Sequence, residues 1–259
     1  ALINLYNWGQ HTKTEQTCNE LLVTYPYSAI LFNILGAALK AQGKFEEAVN
    51  NYDRAIQLKP DYAEAYNNRG NALDEMDRHE EAIRSYNKAL QLKPDYVEAY
   101  SNRGHILLKL GKHEESVENC HKAIELRPDF AEAYYNLGLA LNRSNKSKQA
   151  ETAYRKAIEL EPNNTDYYNN LGNLLVSLSR IEDSLQAFRQ ALDIQPDHAN
   201  ILNNYGAALA ATGENVAAIA AHQKAITADP EFGDAYNNLG NALLAEGNLS
   251  EAIEALQKA

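Results

Sequence analysis

All seven prolines of the chain stand 34 residues apart, at Pro26, Pro60, Pro94, Pro128, Pro162, Pro196 and Pro230. Glycines keep the same step at Gly36, Gly70, Gly104, Gly138, Gly172, Gly206 and Gly240. Alanines keep it at Ala55, Ala89, Ala123, Ala157, Ala191, Ala225 and Ala259. Three coincident ladders of seven members do not arise by chance. A constant period of this size calls for a stacked array, in which each unit buries its neighbour's apolar face, and not for one central core.

Each period reads as two helices. Tyr66, Gly70 and Leu73 fall at i, i+4 and i+7, one face of a helix. Tyr100, Gly104 and Leu107 repeat that spacing, as do Tyr134, Gly138 and Leu141. A short turn follows, QGKF at 42–45, LGKH at 110–113 and TGEN at 212–215. The second helix is predicted over 46–58, with Ala48, Tyr52, Ala55 and Ile56 on one stripe. Proline stops it, because it lacks an N–H and forces its predecessor out of helical geometry. Asp61, Asp95, Asp129 and Asp197 then suit the next helix start, where free N–H groups favour a carboxylate. Gly70 and Ala82 are expected where two helix backbones approach closely, since a helical glycine otherwise costs roughly 1 kcal/mol. No strand precedes these glycines and no GxGxxG or GKS/GKT pattern surrounds them, so they are not phosphate loops.

This spacing resembles the tetratricopeptide repeat, shown in the second full repeat by Tyr66, Arg69, Gly70, Leu73, Ala82, Tyr86, Ala89 and Pro94. The resemblance covers the whole chain as a single solenoid domain, 1–259. Full repeats are 29–62, 63–96, 97–130, 131–164, 165–198 and 199–232, flanked by partial repeats 1–28 and 233–259. It implies an all-α fold, an α-solenoid of helix-turn-helix units in a right-handed superhelix. The first helix of each pair would line a concave groove and the second would lie outside. The chain opens midway through a first helix and stops without a polar capping helix. A segment of a longer protein is therefore expected, with loss of the caps to disorder as the alternative.

One row of residues asks for a functional reading. Two positions before each glycine lies about 200° from the tyrosine, away from the core. It holds Asn68, Asn102, Asn136, Asn170, Asn204 and Asn238, interrupted only by Ile34. Asparagine is a mediocre helix former, so propensity does not explain six of them. Its amide both donates and accepts, and a row of amides could pair with the backbone of an extended peptide. The row is similar to the asparagine ladder in the tetratricopeptide arm of O-linked N-acetylglucosamine transferases, which grips peptide backbone. The segments AYNNRGNAL (65–73) and AYNNLGNAL (235–243) are similar to that arm and to related bacterial repeat proteins. The alternative is that the amides bond a neighbouring helix and order the stack.

Flanking positions complete the candidate peptide-binding set. Asn67 and Tyr135 stand three before the glycine, toward the groove edge, and Asn71, His105, Leu139 and Asn173 stand one after it. Tyr135 and Leu139 could seat an apolar side chain, or the tyrosine could cover a local gap. Glu64, Glu98, Glu132, Asp166 and Asp234 would give an acidic rim favouring a neutral or basic ligand, or would serve the helix N-termini. Chaperone-binding members of the family grip a C-terminal carboxylate with Lys and Arg. Here the equivalent places hold Asn, Ser, Tyr, Glu and Asp, and Arg69 and Arg103 are expected to snorkel from half-buried positions. No tight binding of an acidic EEVD-like tail is expected, and a micromolar dissociation constant would contradict this.

Other chemistry is not supported. The chain carries 24 Lys+Arg against 35 Asp+Glu, a net charge of −11, which opposes nucleic-acid binding. No apolar run of about 18 residues exists to span a membrane. The start lacks the basic and small-residue pattern of a signal peptide, so a cytoplasmic location is expected. Cys18 and Cys120 share the offset of Tyr52, Tyr86, Tyr154 and Phe188, three repeats apart and too far for a disulfide. They are expected as buried thiols. His11, His79 and His113 share an offset, but stacked helix layers about 10 Å apart cannot share a metal. His222 occupies the aromatic core offset. No nucleophile, base and orienting acid converge, so no catalytic residue, metal site or cofactor is expected. The favoured function is a non-enzymatic scaffold for an extended protein segment. The alternatives are a substrate-recruiting arm of a larger enzyme such as a glycosyltransferase, and self-association through the end repeats.

Overall fold

The computed structural model describes residues 2–259, which contain sixteen helices and no strand. The chain divides into two compact units, Ala1–Ala140 and Leu141–Ala259. In the first, α1 (Leu2–Asn7) packs on α2 (His11–Thr24), and α3 (Ala29–Ala41) on α4 (Phe45–Leu58). There α5 (Ala63–Asp74) packs on α6 (His79–Leu92), α7 (Val97–Lys109) packs on α8 (His113–Leu126), and α9 (Ala131–Arg143) follows. In the second unit α10 (Ser147–Leu160) precedes three pairs. These are α11 (Thr165–Ser177) with α12 (Ile181–Ile194), α13 (Ala199–Ala211) with α14 (Asn215–Ala228), and α15 (Gly233–Ala245) with α16 (Leu249–Leu256).

Each unit is an α-solenoid. A second helix packs on the first helix of the following pair, as α4 does on α5 and α12 on α13. First helices also touch one another, α3 with α5, α5 with α7, α11 with α13 and α13 with α15. One face of each unit is therefore built from first helices, and this face carries the asparagine row.

The turn inside each pair has one fixed geometry. Gly43, Gly111, Gly213 and Gly247 have positive φ, and so do Asp77, Asn145 and Ser179 at the same 34-residue step. After α3, Gly43 N donates to Lys40 O at 3.0 Å and Lys44 N to Leu39 O at 3.0 Å. These two bonds define the Schellman closure, which needs a left-handed residue at its hinge. The α5 end repeats it, with Asp77 N on Asp74 O and Arg78 N on Leu73 O, both at 2.9 Å. Aspartate and asparagine tolerate this region better than serine, so Ser179, at φ 59°, is the strained member. Ser179→Gly is expected to stabilise the protein by about 1 kcal/mol, measurable as a higher urea midpoint at unchanged slope.

Two local expectations need correction. Asp61 and Asp95 do not cap. The capping positions are Tyr62 and Tyr96, neither with a side-chain cap bond. Side-chain caps come instead from Ser28 to Leu31 N and from Asn164 to Asp166 N. The residue after the Pro-Asp pair is an aromatic ring under a cation. Lys59 lies 4.8 Å over Tyr62, Lys93 4.5 Å over Tyr96 and Arg127 5.0 Å over Phe130. The recurrent glycine is the second correction. It makes room for a ring and not for a backbone. A β-carbon at Gly70 would lie 2.5 Å from Cε1 of Tyr86, and one at Gly172 2.5 Å from Cε1 of Phe188. At Gly104 the partner is smaller, with Cys120 Sγ at 3.2 Å, and at Gly240 it is the Leu256 side chain, with Cγ at 2.5 Å. Both cysteines are free and buried. Burial raises the Cys18 thiol to about 11 and the Cys120 thiol to about 12, so neither is a ready nucleophile.

Candidate peptide-binding face

The asparagines form a ladder, but its rungs run between repeats. In the first unit Asn68 Nδ2 donates to Asn33 Oδ1, Asn102 Nδ2 to Asn67 Oδ1 and Asn136 Nδ2 to Ser101 Oγ, each at 3.1 Å. In the second, Asn204 Nδ2 donates to Asn169 Oδ1 at 3.0 Å and Asn238 Nδ2 to Asn203 Oδ1 at 3.1 Å. Every rung spans 35 residues, from one first helix to the preceding one. Positions three before the glycine are thus acceptors within the stack and not groove-edge contacts. Asn67 is only 4% exposed and Ser101 and Asn203 are buried, which corrects the expected placement of Asn67.

The rungs differ in what they leave over. Asn136 is 3% exposed, donates to Ser101 and is hydrogen-bonded to His105, so it acts as an internal strut. Asn170 Nδ2 donates to Asp166 O of its own helix at 3.0 Å. Asn68, Asn102, Asn204 and Asn238 are half-buried, and their bonds engage the side-chain nitrogen. Their oxygens remain as acceptors. Asn102 spends its second N–H on Asn71 Oδ1 at 2.9 Å, an oxygen that also accepts from the Tyr86 hydroxyl at 2.7 Å. Asn173 is exposed on α11, and Leu139 is half-buried on α9.

Five predicted residues meet in one cleft. Asn71, Asn102, His105, Tyr135 and Asn136 line a space of about 270 Å³ in the first unit. The rest of its wall, Lys40, Asp74, Glu75, Tyr86 and Glu132, is more charged than the asparagine row suggests. Of these, Lys40, Asp74 and Glu75 escaped the sequence reading. The signal was present, because Asp74 and Glu75 stand three and four residues after Asn71, one turn along the same face. Lys109 Nζ sits 2.8 Å from Asp74 Oδ1. Burial, then Lys109, lowers the His105 imidazole pKa, so the ring is neutral at physiological pH. In the second unit Asn238 lines a separate cleft of about 310 Å³ with Asn241, Ala207 and His222.

The acidic rim is unevenly expressed. Glu64 pairs with Lys93 at 3.5 Å and Glu98 with Arg127 at 2.7 Å. Burial works to raise the Glu98 carboxyl, but a backbone hydrogen bond and Arg127 hold it below the usual carboxylate range. The two arginines do not snorkel. Arg69 is tied to Asp53 at 2.7 Å and to Ser85 at 2.8 Å, bridging α4 and α6. Arg103 donates to Asn119 at 2.8 Å and to Asn87 at 2.7 Å, bridging α8 and α6. Among the described residues no group of three His, Cys, Asp or Glu could hold a metal, and no helix is long and apolar enough to cross a membrane.

Comparison with known proteins agrees with this architecture. The family model described as the cilia and flagella-associated protein 70 C-terminal domain matches residues 13–259. No curated protein sequence matches. Among solved structures, that of the APC/C hetero-tetramer Cut9–Hcn1 aligns with a TM-score of 0.81 at 19% identity, over 93% of this chain and 48% of the other. This chain therefore spans about half the length of that one. YrrB, described as "a TPR protein with an unusual peptide-binding site", aligns at 26% identity and a TM-score of 0.55, over 71% of this chain and 95% of its own. MamA from Desulfovibrio magneticus RS-1 aligns at 23% and 0.58, over 65% and 95%. The similarity to the arm of O-linked N-acetylglucosamine transferases is not carried by these matches. With its helix pairs, its ring-seating glycines and this family match, the chain belongs to the tetratricopeptide-repeat family described as the cilia and flagella-associated protein 70 C-terminal domain.

Proposed function

We propose that this chain is a non-enzymatic scaffold that binds an extended segment of a partner protein on its first-helix face. One observation carries the reading. Asn68 and Asn102 in the first unit, and Asn204 and Asn238 in the second, tie neighbouring repeats together through their nitrogens yet keep their oxygens for another donor. Within either unit such a pair can take up backbone N–H groups of a strand-like guest whatever its side chains. The likeness to YrrB, itself described as having a peptide-binding site, supports the same class of ligand. The ladder serves architecture and recognition together, with Asn67 and Asn136 on the architectural side.

A displayed library of random dodecapeptides tests this. Peptides selected on the intact chain are expected to lose at least about tenfold in affinity when Asn68, Asn102 and Asn204 are changed to alanine, as expected for losing one or two net hydrogen bonds. Each substitution also removes a rung, so thermal unfolding of the variant is measured alongside. Unchanged affinity in a folded variant would remove the ladder from recognition.

A further inference from the structure

Resting on that reading, we infer that the cleft of the second unit beside Asn238 is a subsite for a tyrosine side chain of the guest segment. The first argument is an unspent acceptor. His222 is 1% exposed and lines this cleft. Asn203 Oδ1 accepts from Asn238 Nδ2 at 3.1 Å and lies 2.9 Å from His222 Nδ1. Nδ1 therefore carries the proton of the ring, and Nε2 is left with a bare lone pair. Among the described residues nothing donates to it. Burial lowers the imidazole pKa to about 4, so the lone pair is available at neutral pH. A buried acceptor of this kind gains from a donor that a ligand brings.

The second argument is the character of the walls. Four alanines, Ala207, Ala210, Ala242 and Ala245, line the cleft, and the rest of the lining is amide and imidazole. Four 34-residue periods earlier, the places of Ala210 and Ala245 hold Asp74 and Lys109, an ion pair at 2.8 Å. A charged guest side chain would lose its hydration here against no counter-charge, so the occupant is neutral and largely apolar. The repeat itself shows which one. At the places of Ala207 and His222 the first unit has Asn71 and Tyr86, and the Tyr86 hydroxyl donates to Asn71 Oδ1 at 2.7 Å. Imidazole is shorter than phenol and alanine shorter than asparagine, so both replacements withdraw atoms from the same spot. A space of about 310 Å³ remains, which admits one aromatic side chain and no folded element. Phenol is the neutral ring that donates and accepts through one atom. Its O–H would meet His222 Nε2. Its oxygen would accept from Asn241, whose exposed amide on the wall has no partner among the described residues. Indole donates but cannot accept, and the phenylalanine ring does neither.

The test uses the intact 259-residue chain, labelled with nitrogen-15, and the peptides Ac-Gly-Gly-Tyr-Gly-Gly-NH2 and Ac-Gly-Gly-Phe-Gly-Gly-NH2, which differ by one hydroxyl. The tyrosine peptide is expected to shift the Nε2 signal of His222 and the side-chain amide signal of Asn238, and to bind about tenfold more tightly than the phenylalanine peptide. Ala207→Leu, at an exposed position, is expected to fill the cleft and abolish that preference with the fold intact by circular dichroism. His222→Phe is expected to equalise the two peptides. Equal affinities on the parent chain with shifts at ladder amides would overturn the tyrosine subsite and leave strand binding standing. A preference that survives either substitution, or shifts confined to residues outside the cleft, would also overturn the subsite. No shift at any ladder amide with either peptide would overturn both readings.

Discussion

Gly70→Ala is expected to destabilise the protein by about 2 kcal/mol, whereas Gly104→Ala is expected to leave stability within about 0.5 kcal/mol of the parent. The same chemical change is made on the same helix face, one repeat apart. Alanine is the better helix former by about 1 kcal/mol, so intrinsic propensity favours both variants. The difference lies across the helix pair. The new methyl at Gly70 would sit 2.5 Å from Cε1 and 2.8 Å from Cζ of Tyr86, a fully buried ring that also donates its hydroxyl to Asn71. To accommodate the methyl the ring must move, and that movement pulls on its bond to Asn71 Oδ1, the oxygen that also accepts the second N–H of Asn102. At Gly104 the nearest atoms are Cys120 Sγ at 3.2 Å and Asn119 Cβ at 3.4 Å. A shift of a few tenths of an ångström there is offset by the gain in propensity. Repeat arrays do not always unfold in one step, so hydrogen exchange across α5 and α6 should accompany the denaturant curves. Faster exchange in that pair for Gly70→Ala, and unchanged exchange in α7 and α8 for Gly104→Ala, is the expected outcome. Equal effects at both sites would show that the glycine serves the backbone after all.

Acidification should weaken the second unit through one histidine. His222 is 1% exposed, sits on Gly206 in the place of a core aromatic, and its Nδ1 lies 2.9 Å from Asn203 Oδ1. Burial lowers its pKa from 6.5 to about 4. The native state therefore refuses a proton that the unfolded chain accepts. Stability is full above pH 6.5 and falls as the pH drops toward 4, by about 3 kcal/mol over that window. The acceptor role of Asn203 does not change this sign, because neutral imidazole already supplies the N–H. His222→Phe copies the neighbouring pair, in which Phe188 sits on Gly172. The variant is expected to keep stability near neutral pH within about 1 kcal/mol, losing one hydrogen bond, and to flatten the decline between pH 6.5 and 4. Urea denaturation of both proteins at pH 7, 5.5 and 4.5 measures it. Parallel curves would show that the acid sensitivity belongs to other groups.

The proline ladder made the fold legible, since a second helix predicted over 46–58 is found at Phe45–Leu58. The same regularity concealed the hinges. Asp77, Asn145 and Ser179 do not read as turn glycines, yet the Schellman geometry forces all three into the left-handed region. The asparagine row was visible because it breaks helix propensity. Its direction was not, because the 35-residue partnership joins two different offsets of the repeat, and a search at a period of 34 passes over it. The cleft was half legible. Asn71, Asn102 and His105 follow from position beside the glycine. Lys40, Asp74 and Glu75 belong to the end of the first helix, which varies among repeats, so the 34-residue period does not mark them and only the spacing of Asp74 and Glu75 from Asn71 does.

Every rung points its nitrogen toward the earlier repeat. Within each unit the row is consequently a vector, with a head and a tail. A guest laid along it in one sense meets a different succession of dipoles from the same guest reversed. The scaffold should accordingly distinguish a sequence from its retro counterpart even where composition, length and charge are identical.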